Sequence, residues 1–389
     1  MTATHRLALV IGFTQTLAYV TTFYVPSVII GAVSASMGAS PALLLGGFSC
    51  ALLVNGFAAP RIGRLIDRTG GREVLAAGSM VLAAGLLLMA AVPTLIGWYV
   101  SWGLMGVGMA LGLYDAAFAT IGRLLGAASR PTIVGVTLMG GLASSIGWSM
   151  GWLVDLVGWR ETLLIYAAIN LLVNLPLELW LIPRAAPEAP APRDSEGRAA
   201  DALPRGMLWM FVLLAVFFSI RSAMTTAFSV HSLALMQGLG LSAAGAVGAL
   251  ALIGPAQVGA RIVEWFFGRH VSAMTTSLIG ALLLPLGVAA MLLGGSAAVF
   301  ALAWGISGGI VTISRGVLPM VLFGPRGYAT RLGQIALPTL LVQAAAPTLI
   351  APLVAVWPAS YVLGGIGLAG FVAFLCLLPM WRVKPAAGD

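Results

Sequence analysis

Charge is scarce in this chain. Of 389 residues 8% are Asp, Glu, Lys or Arg and 60% are hydrophobic, where an ordinary soluble domain carries roughly 25% charged residues. A soluble fold of this length has no place for so much apolar surface, which excludes the water-soluble globular classes. Cysteine is scarcer still. Cys50 and Cys376 stand one in each half, both inside apolar stretches, which supports neither a disulfide framework nor a thiolate metal site. Lysine occurs once, at Lys384, so nineteen of the twenty basic residues are Arg. The net charge of +8 would suit nucleic acid or an anionic membrane. The Arg residues, however, are spread over short gaps between apolar runs, the pattern of membrane loops, and no nucleic-acid partner is expected. Histidine is limited to His5, His231 and His270, and there is no phosphate-binding loop, zinc-binding His pair or local nucleophile motif. Neither an enzyme, nor a nucleotide-driven pump, nor a cofactor or resident metal is expected.

What is present is length of apolar run. A helix rises ~1.5 Å per residue, so crossing ~30 Å of hydrocarbon takes ~20 residues. Residues 1–6 followed by the apolar 7–33 superficially resemble a secretion signal, but the run is too long for one and reads as a first span. Spans are expected near 8–32, 42–61, 73–92, 96–121, 132–154 and 162–182, then 207–236, 242–267, 272–293, 296–322, 333–355 and 359–381. Between the two sets lies a stretch rich in Pro, Ala and charge, which reads as a solvated linker. The expected fold class is an all-α membrane protein of twelve transmembrane helices in two pseudo-symmetric six-helix bundles, 1–182 and 207–389, joined by a linker at 183–206. A weak internal repeat supports the duplication: Trp102-Gly103 followed by Gly106 recurs as Trp304-Gly305 followed by Gly308, an offset of 202.

Basic residues orient the spans. With the N-terminus on the cytoplasmic side, that side collects Arg6, Arg61, Arg64, Arg68, Arg72, Arg123, Arg130, Arg184, Arg193, Arg198, Arg205, Arg269, Arg326, Arg331, Arg382 and Lys384, sixteen of twenty. Only Arg160 falls in an outer loop, and Arg221, Arg261 and Arg315 lie within spans. Both termini are thus expected in the cytoplasm.

Between the second and third spans the chain reads Gly63-Arg-Leu-Ile-Asp67-Arg68-Thr-Gly70-Gly71-Arg72. This resembles the signature loop of the major facilitator superfamily, and a Gly158-Trp159-Arg160 turn also resembles members of that family. Gly254-Pro255 through Arg261, Ser314-Arg315-Gly316 and Phe323 through Tyr328 are similar to its bacterial sugar-efflux-like and monocarboxylate-like permeases. The resemblance implies a secondary transporter of the bacterial inner membrane, working by alternating access as a monomer, with a small-molecule substrate and the lipid bilayer as its partners. It also implies that the first, fourth, seventh and tenth helices line a central cavity. In the signature loop, Gly63 permits close helix approach, Asp67 can accept hydrogen bonds from a neighbouring helix N-terminus, and Arg68, Gly70 and Arg72 complete a cytoplasmic gate. In the second half the acid is replaced by Arg269.

Ionisable residues inside spans are functional candidates by default. Arg221 lies about fifteen residues from either end of its run, on the order of 20 Å along the helix from each interface, too deep to snorkel easily. With Arg315, Arg261, and the Gln15 and Tyr19 side chains of the first span, it forms the expected substrate-binding set. Asp115 and Glu264 are the candidates for proton coupling or gating; Arg261 and Glu264, three apart, share a helix face. Three intramembrane Arg against two acids favour a small organic anion, and proton symport is the expected coupling. Export of hydrophobic drugs or metabolites, and import of copper or a riboflavin-like solute, stay open; Met105 and Met109, or His270 and Met274, have a spacing that Cu(I) would accept.

Overall fold

The computed structural model describes residues 3–185 and 205–383; Arg193, Arg198, Lys384 and most of the expected linker lie outside them. Every regular element among the described residues is helical: α1 (Ala3–Val20), α2 (Val25–Met37), α3 (Pro41–Thr69), α4 (Arg72–Ala91), α5 (Leu95–Gly112), α6 (Tyr114–Leu125), α7 (Arg130–Gly140), α8 (Leu142–Ser149), α9 (Gly151–Val157), α10 (Trp159–Ile169), a π turn (Asn170–Asn174) and α11 (Leu175–Leu181). There follow α12 (Leu208–Gly238), α13 (Ala243–Leu250), α14 (Ile253–Phe267), α15 (Ala273–Leu292), α16 (Ala297–Phe323), α17 (Tyr328–Val356) and α18 (Ala359–Leu377), with short 3-10 turns between some of them.

Eleven of the helical stretches among the described residues are long and apolar enough to cross a membrane, one fewer than the sequence suggests. The difference is the fifth span. It is cut into α7, α8 and α9, and α7 is counted with α5 and α6 in a single 46-residue stretch, Leu95–Gly140. At ~1.5 Å per residue that stretch is about twice the depth of a bilayer core, so it holds two crossings' worth of chain. Local residue chemistry bears on three further interruptions. Pro26 lacks an N–H and its ring crowds the carbonyl of Thr22, and the first span breaks at 21–24 just before it. Pro176 does the same to the carbonyl of Leu172, inside the π turn. In the fourth span Leu113 is extended (φ −92°, ψ −171°) directly after Gly112.

The chain forms two compact units. One comprises Met1–Ala202 with Phe323–Leu337, the other Leu203–Leu322 with Pro338–Ala387. In lipid no hydrophobic effect drives helices together, so close packing of small residues and hydrogen bonds must do it. In the first unit a side chain at Gly106 would strike the Ala51 carbonyl, seating α5 on α3, and Gly78 lies against Gly112. In the second, Gly305 and Gly309 seat α16 on the Ile253 and Gln257 carbonyls of α14. The fourth span packs on the second as the tenth packs on the eighth, and Ala51 and Ile253 are themselves 202 residues apart. Outward faces carry exposed Leu, Ile, Val and Phe, with Trp180, Trp357, Tyr361 and Trp381 exposed near span ends, the distribution that lipid and its interface favour.

Candidate functional site

The residues read from the sequence as a loop gate are mostly helical. Hydropathy ends the second span at 61, but α3 runs on to Thr69, and hydropathy starts the eleventh at 333, whereas α17 begins at Tyr328. Gly63, Asp67 and Arg68 therefore occupy the last two turns of α3, and Gly70 and Gly71 alone join it to α4. The extension brings Asp67 to the start of α17, whose first N–H groups have no partner within their own helix. The Asp67 carboxylate accepts from the N–H of Ala329 (3.1 Å), the N–H of Thr330 (2.7 Å) and the Thr330 hydroxyl (2.6 Å). Approach is close enough that a Cβ at Gly63 would overlap the Ala329 carbonyl, and one at Gly333 the Ala59 carbonyl. Gly70 has φ +86°, the left-handed region that turns the chain sharply into α4. Arg68 is exposed and Arg72 half-buried. Arg331, one residue beyond Thr330, folds back so that Nη2 donates to the carbonyls of Phe323 (3.2 Å), Gly324 (3.0 Å) and Arg326, capping the end of α16 and fixing the turn into α17.

A second cluster in the same unit sits at the breaks of the first and fourth spans. Gln15 is fully buried; its Nε2 donates to the Gly112 carbonyl (2.7 Å), a group that the extended Leu113 releases from the helix, while Oε1 has no hydrogen-bond partner. One turn on, Tyr19 packs against Tyr114 (centroids 4.6 Å) and Phe23 (5.8 Å). Asp115 is half-buried in the first turn of α6.

In the second unit Arg221, on α12, is 3% exposed. Its Nη2 donates to Ser307 Oγ (3.0 Å), which in turn donates to the Gly280 carbonyl (2.5 Å), while Nε and Nη1 have no hydrogen-bond partner. Next to it Ser222 donates to Gln343 Oε1 (2.8 Å). Arg261 and Glu264 are both buried on α14, and Arg315 is half-buried on α16. The hydroxyl that meets the Arg221 guanidinium belongs to Ser307. Met105 and Met109 are buried in helix packing, Met105 against Gly85, and His270 accepts from Arg269 Nε (3.0 Å). Arg160 stacks over the Trp159 ring at 4.3 Å.

Sequence reasoning missed Glu178. It is 1% exposed on α11 and accepts from Ser79 Oγ of α4 at 2.7 Å. Lying near the end of the expected 162–182 span, it passes for an interfacial charge. The signal that finds it is spacing, because Asn170, Asn174 and Glu178 recur every four residues.

A family model described as the Major Facilitator Superfamily matches residues 11–347. Among curated proteins none matches the chain. Its fold recurs in many solved structures, two of which illustrate it. The human organic anion transporter MFSD10 (TETRAN) superposes with a TM-score of 0.73 at 16% identity, over 97% of this chain and 100% of its own. The proton:xylose symporter XylE, bound to 6-bromo-6-deoxy-D-glucose, gives 0.72 at 15% identity, over 98% of this chain and 96% of its own.

Proposed function

Since this chain belongs to the Major Facilitator Superfamily and is a multi-pass secondary transporter of small solutes, we propose that its solute is a small organic anion, moved by alternating access across a bacterial inner membrane. The observation that carries the anion reading is Arg221. A permanently charged guanidinium, nearly inaccessible, is held by one serine hydroxyl and keeps two unmatched donors. Each buried unmatched donor costs about 1–3 kcal/mol, and acceptor oxygens of an anion would recover it through charge-assisted hydrogen bonds. Arg315, Arg261, Gln15 and Tyr19 complete the proposed substrate set, with Asp115 or Glu264 coupling transport to protons. Gly63, Asp67, Arg68, Gly70 and Arg72 form the gate, in which Asp67 locks the start of α17 in one end state. The protein acts as a monomer of two six-helix bundles, 1–182 and 207–389, with the linker and both termini cytoplasmic. That a human protein of the same fold carries organic anions shows what the fold can accommodate, and Arg221 supplies the reason to expect it here.

The test is equilibrium binding. A thermal-shift screen of the purified protein against organic anions, Cu(I), flavins and cationic dyes identifies the ligand, because binding to the folded state raises apparent stability. Its affinity is then measured for wild type, Arg221→Lys and Arg221→Gln, with monodisperse elution as the folding check. Loss of binding in Gln with partial retention in Lys is expected, since Lys keeps the charge but not the planar donors. Unchanged affinity in both variants would sink the anion site and favour a neutral hydrophobic solute or copper.

A further inference from the structure

Four residues of the sixth span lie four apart along one buried line. Tyr166, Asn170 and Asn174 are 0% exposed and Glu178 is 1% exposed. Positions four apart drift by about 40° per step around a regular helix, and the wider π turn at Asn170–Asn174 takes back part of that drift. The middle of the line is hydrogen-bonded to the first span, and Glu178, one turn beyond Asn174, is bonded separately. Asn174 Nδ2 donates to Asn170 Oδ1 (3.2 Å), and Asn170 Nδ2 donates to Thr21 Oγ1 (2.9 Å) at the break of the first span. At the other end Ser79 donates to Glu178. Two of its atoms, the Tyr166 hydroxyl and Asn174 Oδ1, have no hydrogen-bond partner.

We propose that Glu178 is a proton-binding site of the first unit, served by this polar line between the break in the first span and the contact with Ser79. The ligand is a proton: a carboxylate oxygen of Glu178 gains the O–H bond as a hydronium ion gives up its own and leaves water, and the reverse step returns it. Among the described residues, the groups around it leave the carboxyl without a fixed counter-charge. α4, α1 and the π turn pack against α11. Their titratable residues are Arg72 and Glu73 in the first turn of α4, His5 and Arg6 near the start of α1 and Tyr19 near its end, with Tyr166 just before the π turn. Arg72 precedes Ser79 by two turns, about 10 Å along the helix, and Glu73 is exposed and bound by Arg184 Nε at 3.0 Å. The hydrogen-bond partner of Glu178 among the described residues is a neutral hydroxyl. The use made of the proton rests on the transport reading; its binding does not.

The experiment is infrared difference spectroscopy of the full-length protein in proteoliposomes across a pH titration, following the band of a protonated carboxyl group. Wild type should show a titrating component from a buried carboxyl group that is retained in Asp115→Asn and Glu264→Gln and lost in the near-isosteric Glu178→Gln. A titration difference spectrum left unchanged by Glu178→Gln, or no such band in wild type, would overturn the proposal. Should Glu178→Gln fail to elute as a folded species, Ser79→Ala decides. Removing a hydrogen bond to an ionisable carboxyl should move the band's midpoint by about one pH unit, and an unmoved midpoint would count against the site. A Glu178-dependent band in a protein that moves no solute would support the proton site and sink the transport reading, so the two fail separately.

Discussion

Asp67 is the carboxylate on which the proposed gate rests. It meets two backbone N–H groups and a hydroxyl, and such charge-assisted bonds are roughly twice as strong as neutral ones. An Asn in its place keeps one acceptor oxygen and loses the charge, a loss of ~1–2 kcal/mol, which is about tenfold in the balance between end states. Asp67→Asn is therefore expected to slow transport while the affinity for solute changes little, since Asp67 is proposed to touch no solute. Transport at the wild-type rate in a correctly inserted variant would show that this contact is no gate. Arg331→Gln should err in the same direction, because Arg331 holds the turn that presents Ala329 and Thr330 to Asp67. Of these residues Asp67 was legible in the sequence through its motif and Arg221 through its depth. Arg331 and Glu178 were not. Arg331 reads as one more basic residue beside a span, and its partners are carbonyls, which every residue has. Glu178 sits where a charge can be explained by the interface; its spacing from Asn170 and Asn174 is a faint signal, and its burial and its contact with Ser79, 99 residues away, place it inside the bundle.

At the scale of the element, hydropathy located the helices and misjudged their ends. A window average measures where lipid is tolerated, while the α-helix continues wherever backbone geometry and neighbours allow. The last turns of α3 carry Arg61, Arg64, Asp67 and Arg68, so they fall below any hydropathy threshold while remaining helical. That misreading matters, since helical phase puts Gly63 and Asp67 on one face, four apart, against α17. Exposed Arg64 and Arg68 lie off that face. A methyl group at Gly63 would overlap the Ala329 carbonyl, which is backbone and cannot swing aside. Gly63→Ala is accordingly predicted to reduce transport as much as Asp67→Asn does, whereas Arg64→Gln leaves it within about twofold, as for surface substitutions generally. A Thr330→Cys reporter should react with a soluble thiol reagent severalfold faster in the Gly63→Ala background. Equal labelling in both backgrounds would mean that α3 and the start of α17 do not depend on the glycine. The helix breaks were readable in principle from Pro26 and Pro176, but membrane helices tolerate proline so widely that position alone does not say which one interrupts.

At the scale of the whole molecule the fifth span decides the topology, because eleven crossings put the termini on opposite sides and twelve put them on the same side. α7, α8 and α9 cover 130–157, 28 residues, or about 42 Å of helix, enough for one passage of a ~30 Å core even with two kinks. Charge gives an independent vote. If the fifth span crosses, sixteen basic residues lie on the N-terminal side and Arg160 alone on the other. If it does not, Arg160 joins Arg6, Arg61, Arg64, Arg68, Arg72, Arg123 and Arg130, and the nine that follow it outside spans move across, leaving eight against nine. A bias that strong in one arrangement and absent in the other favours twelve crossings under the positive-inside rule. Reporter fusions should then place both termini and the 183–206 linker in the cytoplasm, and a single cysteine introduced at Arg160 should be labelled from outside by an impermeant reagent. A linker reporter that reads external, with Arg160→Cys protected, would mean that the three short helices turn back without crossing and that the six-plus-six arrangement is wrong for this chain.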